Sequence, residues 1–147
     1  ALPRVVADGS DGAARSLALE GAWLCGACLG ATTMGLHHKL CHVLGGMLDL
    51  PHAETHAIVL PHVAAFNLPA APEADAVLRR ALGTDDVPAA LLSLGAAVGV
   101  PDGLQALGVR HEDLARVADE VLAAPYSNPV APTRADLEAI VEAAWRG

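Results

Sequence analysis

Aromatic side chains are nearly missing from this chain, at 3% of 147 residues. Alanine, leucine and valine dominate instead, and they favour closely packed helices over a β-sandwich built on aromatic and β-branched residues. The expected fold class is all-α. No cluster of Lys and Arg accompanies the formal net charge of −8, so a nucleic acid would find no basic footprint for its phosphates. Apolar runs stay short of the roughly 18 residues that a membrane span needs. Cys25, Cys28 and Cys41 are an odd count in apolar helical sequence with no signal peptide before them, which points to a reducing cytoplasm rather than a disulfide framework. Cys25-Gly26-Ala27-Cys28 is formally a CxxC, yet without a second pair or a βαβ context it reads as structural. A glycine-rich phosphate loop after a strand is also lacking, so nothing in the sequence holds a nucleotide in the usual way.

The length suits one domain, and a domain of this size buries roughly 68–70% of its unfolded surface. A single α-helical domain over residues 1–147 is therefore expected. Residues 1–10 read as a short lead. A helical pattern from Asp11 to about Leu29 is dense in small residues, among them Gly21, Ala22, Gly26 and Ala27, and predicts a central helix packed on several sides. Further helices are expected from Thr32 to about Met47, from His52 to about Asn67 with a kink or break at Pro61, and from Glu73 to about Leu82. Leu91, Leu92, Leu94 and Val98 then recur at core spacing up to Gly99. A helix from Glu112 to Ala124 follows, and Thr133 with Asp136 three residues later forms a capping arrangement for a last helix ending near Arg146.

Five of the seven histidines lie between positions 37 and 56. His38 and His42 are four apart, which places both rings on one face of a helix. Gly45-Gly46 weakens that helix and Pro51 favours a fresh start before His52, so a turn would bring His52 back towards the His38/His42 face. Each neutral imidazole in a core needs partners for its N–H and its lone pair, which makes a purely structural cluster unfavourable. The cluster reads as a metal site or active site. Lys39 stands where the HExxH motif has glutamate, so peptide hydrolysis is a poor reading. His37 lies about 100° from His38 around the helix, and His62 and His111 fall outside the cluster and read as structural.

The stretch GLHHKLCHVLGG, continued by PHAETHAIVLPH, resembles the iron-containing alcohol dehydrogenase superfamily, and within it the maleylacetate reductase branch more than the PHG-type alcohol dehydrogenases. The resemblance runs through Tyr126-Ser127-Asn128-Pro129 to the end of the chain. It implies the multi-helix bundle of the dehydroquinate synthase-like, iron-containing alcohol dehydrogenase C-terminal domain. It further implies that this chain is the C-terminal half of a two-domain cytoplasmic enzyme, inactive alone, whose N-terminal nucleotide-binding domain is absent. The implied activity is reduction of maleylacetate to 3-oxoadipate with NADH or NADPH, in a homodimer. Mapped onto the family, His38 and His52 sit at the positions of two metal ligands, for iron or zinc if a metal is used. His42 matches the active-site histidine near the nicotinamide. Catalysis is thus expected of His42, His38 and His52, cofactor contact of His42, and dicarboxylate binding of His56, His37 and Lys39. Two rivals remain at this stage: a metal-dependent alcohol dehydrogenase, and a non-enzymatic helical metal-binding module.

Overall fold

The computed structural model describes residues 1–147 and contains eight α-helices, three short 3-10 turns and no strand, as expected of an all-α chain. Its contacts fall into two compact units, Ala1–Met34 and Gly35–Gly147.

In the first unit the expected lead is itself helical: α1 spans Leu2–Ala7. Asp11 then caps α2, Gly12–Ala31, by accepting the Ala14 N–H at 2.9 Å, and it also pairs with Arg4 at 2.6 Å. The small-residue pattern misled about packing. Ala14 is the one buried residue of α2, and Leu17, Leu19 and Trp23 are exposed, because within its unit this long helix has only the six-residue α1 to pack against. Cys25 and Cys28 are exposed and free.

The second unit opens with α3, Leu36–Leu48. The helix starts four residues later than Thr32: β-branched Thr32 and Thr33 and the following Gly35 are weak helix formers, and residues 32–35 are not helical. Leu36, Leu40 and Leu44 recur at helical spacing with no exposed surface, so one face of α3 is core. Asp49 ends the helix in the left-handed conformation, φ 53°, with its N–H donating to the Gly45 carbonyl at 3.0 Å. The short link through Pro51 then starts α4, His52–Asn67. Of the expected kink or break at Pro61, the break does not occur: α4 continues through Pro61, whose ring is buried in the same face as Ile58. Packing on both sides compensates for the one hydrogen bond that a helix-interior proline removes.

Beyond a 3-10 turn at Leu68–Ala70, α5 spans Pro72–Leu82 and closes on Gly83 at φ 65°. Asp86 caps α6, Val87–Ala97, by accepting the Ala89 N–H. The apolar row of α6 is not a core row: Leu92 is 44% exposed, and Leu91, Leu94 and Val98 are half-buried. A 3-10 turn at Leu104–Leu107 follows. The helix expected from Glu112 divides into a 3-10 turn, His111–Asp113, and α7, Leu114–Leu122. Arg110 and Arg116 hold the buried Asp113 carboxylate at that start. The last helix, α8 at Arg134–Arg146, carries the expected capping box of Thr133 and Asp136. Gly103 sits so close to the end of α8 that a Cβ there would lie 2.6 Å from the Trp145 carbonyl oxygen.

The core of this unit joins α3, α4, α7 and α8 through Leu44, Val59, Val117, Val121, Leu137 and Val141. α3 packs on α4 and α7, and α4 on α6 and α8. No single helix in the chain is long and apolar enough to cross a membrane.

Candidate active site

The core face of α3 determines where its histidines go. With Leu36, Leu40 and Leu44 inward, residues two positions away project to the opposite side, which is where His38 and His42 stand one turn apart. On α4 the pattern repeats: Ile58, Val59 and Val63 are inward, and His52 and His56 form a second pair four apart. The two helices pack together, and the two pairs meet. Ring centroids of His52 and His56 are 4.2 Å apart, of His38 and His56 5.0 Å, of His38 and His42 6.1 Å, and of His42 and His52 6.2 Å. His37 packs behind them, its ring 4.9 Å from that of His56. Its Nε2–H donates to the His56 backbone carbonyl at 3.1 Å. Five rings therefore meet, where the sequence suggested only that His52 turns back towards the His38/His42 face, and His42 and His52 form the exposed edge.

Burial and mutual repulsion keep the inner rings neutral. Burial lowers the His37 pKa, with the His38 charge acting in the same direction. His56 is lowered to about 4, first by burial and then by the charges of His37, His52, His38 and His42 around it. Its Nε2 is buried without a hydrogen-bond partner. Outside the patch, His62 is lowered by burial as well. These are groups whose folded-state pKa lies below the unfolded value, so the unfolded chain takes up protons that the folded chain refuses. Stability is then lost as pH falls from about 6.5, the unfolded value, towards about 4, the folded value of His56. Thermal midpoints measured between pH 7 and pH 5 should fall steadily, and a flat profile over that window would contradict neutral inner rings.

The structure also reveals a residue that the sequence reading passed over. Gly35, which precedes α3, has no side chain to cap it. Asn128, 92 positions from Leu36, supplies the cap by accepting the Leu36 N–H at 3.2 Å. The same amide pairs reciprocally with Asn67 at the end of α4, at 3.1 Å and 2.7 Å, and donates to the Val130 carbonyl at 2.8 Å. One side chain thus ties the start of the His38 helix to the end of the His52 helix. Asn128→Ala would leave the partly buried Leu36 N–H and Asn67 amide without partners, at a total of about 1–3 kcal/mol. Chemical denaturation should show a loss in that range, and a loss below about 0.5 kcal/mol would remove Asn128 from this role.

Not every candidate joins the patch. Lys39 is half-buried on α3, about 100° around the helix from His38. His62 lines a separate cavity of about 460 Å³ with Ile58, Leu91 and Val100. His111 is structural, as expected: it pairs with Glu142 at 2.8 Å and packs edge-on against Trp145.

Such an arrangement offers several imidazole N–H groups and lone pairs at one exposed edge, backed by half-buried inner rings. It suits hydrogen bonding to carboxylates and proton transfer to a bound carbon acid. The sequence pattern of the family described as Fe-containing alcohol dehydrogenase family, C-terminal, matches residues 1–145. The chain is 52% identical over its whole length to maleylacetate reductase 1 of Cupriavidus pinatubonensis and 50% identical to the maleylacetate reductase of Pseudomonas knackmussii, and spans 42% of the length of each. It superposes on the crystal structure of maleylacetate reductase from Agrobacterium tumefaciens with a TM-score of 0.94 at 46% identity, covering 99% of this chain and 41% of that one. From Ala1 to Trp145, the chain belongs to the Fe-containing alcohol dehydrogenase family, as its C-terminal helical part.

Proposed function

We propose that this chain forms the helical wall of the active site of a maleylacetate reductase, which reduces maleylacetate to 3-oxoadipate with NADH or NADPH. The carrying observation is the meeting of the His38/His42 and His52/His56 pairs in a chain about half identical to two maleylacetate reductases over its whole length. A preceding nucleotide-binding domain, a dimer and a cytoplasmic location belong to the same proposal.

The reaction adds hydride to the alkene carbon β to the ketone, places enolate charge on the ketone oxygen, and protonates the neighbouring carbon. Three demands follow: a donor for the enolate oxygen, a proton source, and partners for two carboxylates. His52 and His38 are assigned to the oxygen and the proton. His42, at the exposed edge, is assigned to the nicotinamide end of the cofactor, whose remaining contacts need the phosphate-binding loop that this chain does not contain. His56, with its unpartnered Nε2, is assigned to a carboxylate. His37 holds the His56 backbone in place, and Lys39, outside the patch, is assigned no contact with the substrate.

The three donor atoms that approach within 4.8 Å of one another belong to His37, Cys41 and His56, not to the His38 and His52 that match the family's ligand positions. His38 and His52 do not form a ligand set by themselves.

His56→Ala in the full-length protein is expected to raise KM for maleylacetate about 10–100-fold, the effect of losing a hydrogen bond to a charged group. KM for the nucleotide should change little. Equal changes in both, or none, would withdraw His56 from substrate binding.

A further inference from the structure

Every residue of the patch has a part in the proposed reduction except one, Cys41, and its neighbourhood carries a site of a different kind. Cys41 is four residues after His37 on α3, in the row between the leucine core and the His38/His42 edge. Its thiol is 1% exposed. Its nearest polar partner is the Thr55 carbonyl oxygen, 4.0 Å away, which holds it only weakly. From α4, His56 brings a buried Nε2 that has no hydrogen-bond partner. One nitrogen of each of these histidines and the Cys41 sulfur lie within 4.8 Å of one another.

We propose that His37, Cys41 and His56 form a binding site for a thiophilic divalent cation of the zinc type, separate from the His38/His52 positions. Two imidazoles and one thiolate are a zinc donor set, and three protein ligands leave a fourth position for water. Zinc–sulfur and zinc–nitrogen bonds of about 2.3 and 2.0–2.1 Å require donors to close by roughly one ångström from the observed spacing, a movement within reach of side-chain rotation. His37 is already backed by a carbonyl, the His56 oxygen at 3.1 Å, as metal-binding histidines commonly are. Binding satisfies the orphaned His56 nitrogen and displaces the Cys41 proton to solvent. If His56 binds the substrate carboxylate, as proposed above, zinc competes with substrate.

Cobalt(II) reports such a site through the near-ultraviolet charge-transfer band of a thiolate ligand. The protein to use is full length, with Cys25→Ser and Cys28→Ser to remove the exposed thiols. One equivalent of cobalt should produce the band. Cys41→Ala should abolish it, His56→Gln should weaken cobalt affinity by about 100-fold or more, and His52→Ala should leave it intact. His56→Gln alters a half-buried position rather than the buried thiol, so it keeps the test valid even if Cys41→Ala folds poorly. Absence of the band, its survival in Cys41→Ala, or its loss in His52→Ala would overturn the proposal. Zinc inhibition competitive with maleylacetate is read separately. A cobalt band without inhibition keeps the cation site and removes His56 from the substrate site.

Discussion

His52→Ala in the full-length protein should lower kcat/KM for maleylacetate by about 10²–10⁴-fold, the range expected when a positioned proton-transfer group is removed. The ring sits at the first residue of α4, 4.2 Å from His56 and 6.2 Å from His42. It is exposed, so it contributes little to the core. Truncating it should therefore leave folding stability within about 0.5 kcal/mol while the reaction slows. That split between rate and stability separates a chemical role from a structural one. Steady-state kinetics beside a thermal melt provide the check. A loss of only a few-fold, or a loss matched by a large fall in melting temperature, would show that His52 does not take part in the chemistry.

The largest stability effect should come from Leu44. Its side chain has no exposed surface and lies with Leu36 and Leu40 on the face of α3 that packs against α4 and α7. Leu44→Ala removes three carbons from a close-packed region and leaves a cavity, a change that costs about 2–5 kcal/mol. Because the opposite face of the same helix carries His38 and His42, a shift of α3 into the cavity would also disturb the histidine patch. The expected result is a lower urea midpoint at unchanged m-value, with activity reduced less than in His52→Ala. A loss under about 1 kcal/mol would mean that α3 is not anchored by this face.

How much of this was legible depended on how local each signal was. The His38/His42 pair and the Thr133–Asp136 capping box involve residues three or four apart, and local spacing was enough to find them. The His52/His56 pair has the same spacing, but attention to the Pro51 turn singled out His52 and left the second pair of the patch unrecognised as such. Asn128 was out of reach. Its hydrogen bonds join positions 61 and 92 residues away, and nothing local to Ser127-Asn128-Pro129 indicates them. Composition failed at α2, where small residues suggested close packing on several sides but only Ala14 is buried. At Pro61 local chemistry predicts a kink or a break, and burial against the core of the second unit excludes the break.

The central claim is that the α3/α4 histidine patch serves reduction of a dicarboxylate. It is tested most directly by following nicotinamide oxidation in the full-length protein, with maleylacetate as acceptor, beside nicotinamide reduction with simple alcohols as donors. Rapid oxidation with maleylacetate and negligible turnover of alcohols is the predicted result. Turnover of alcohols with none of maleylacetate would contradict it and reassign the patch to alcohol chemistry.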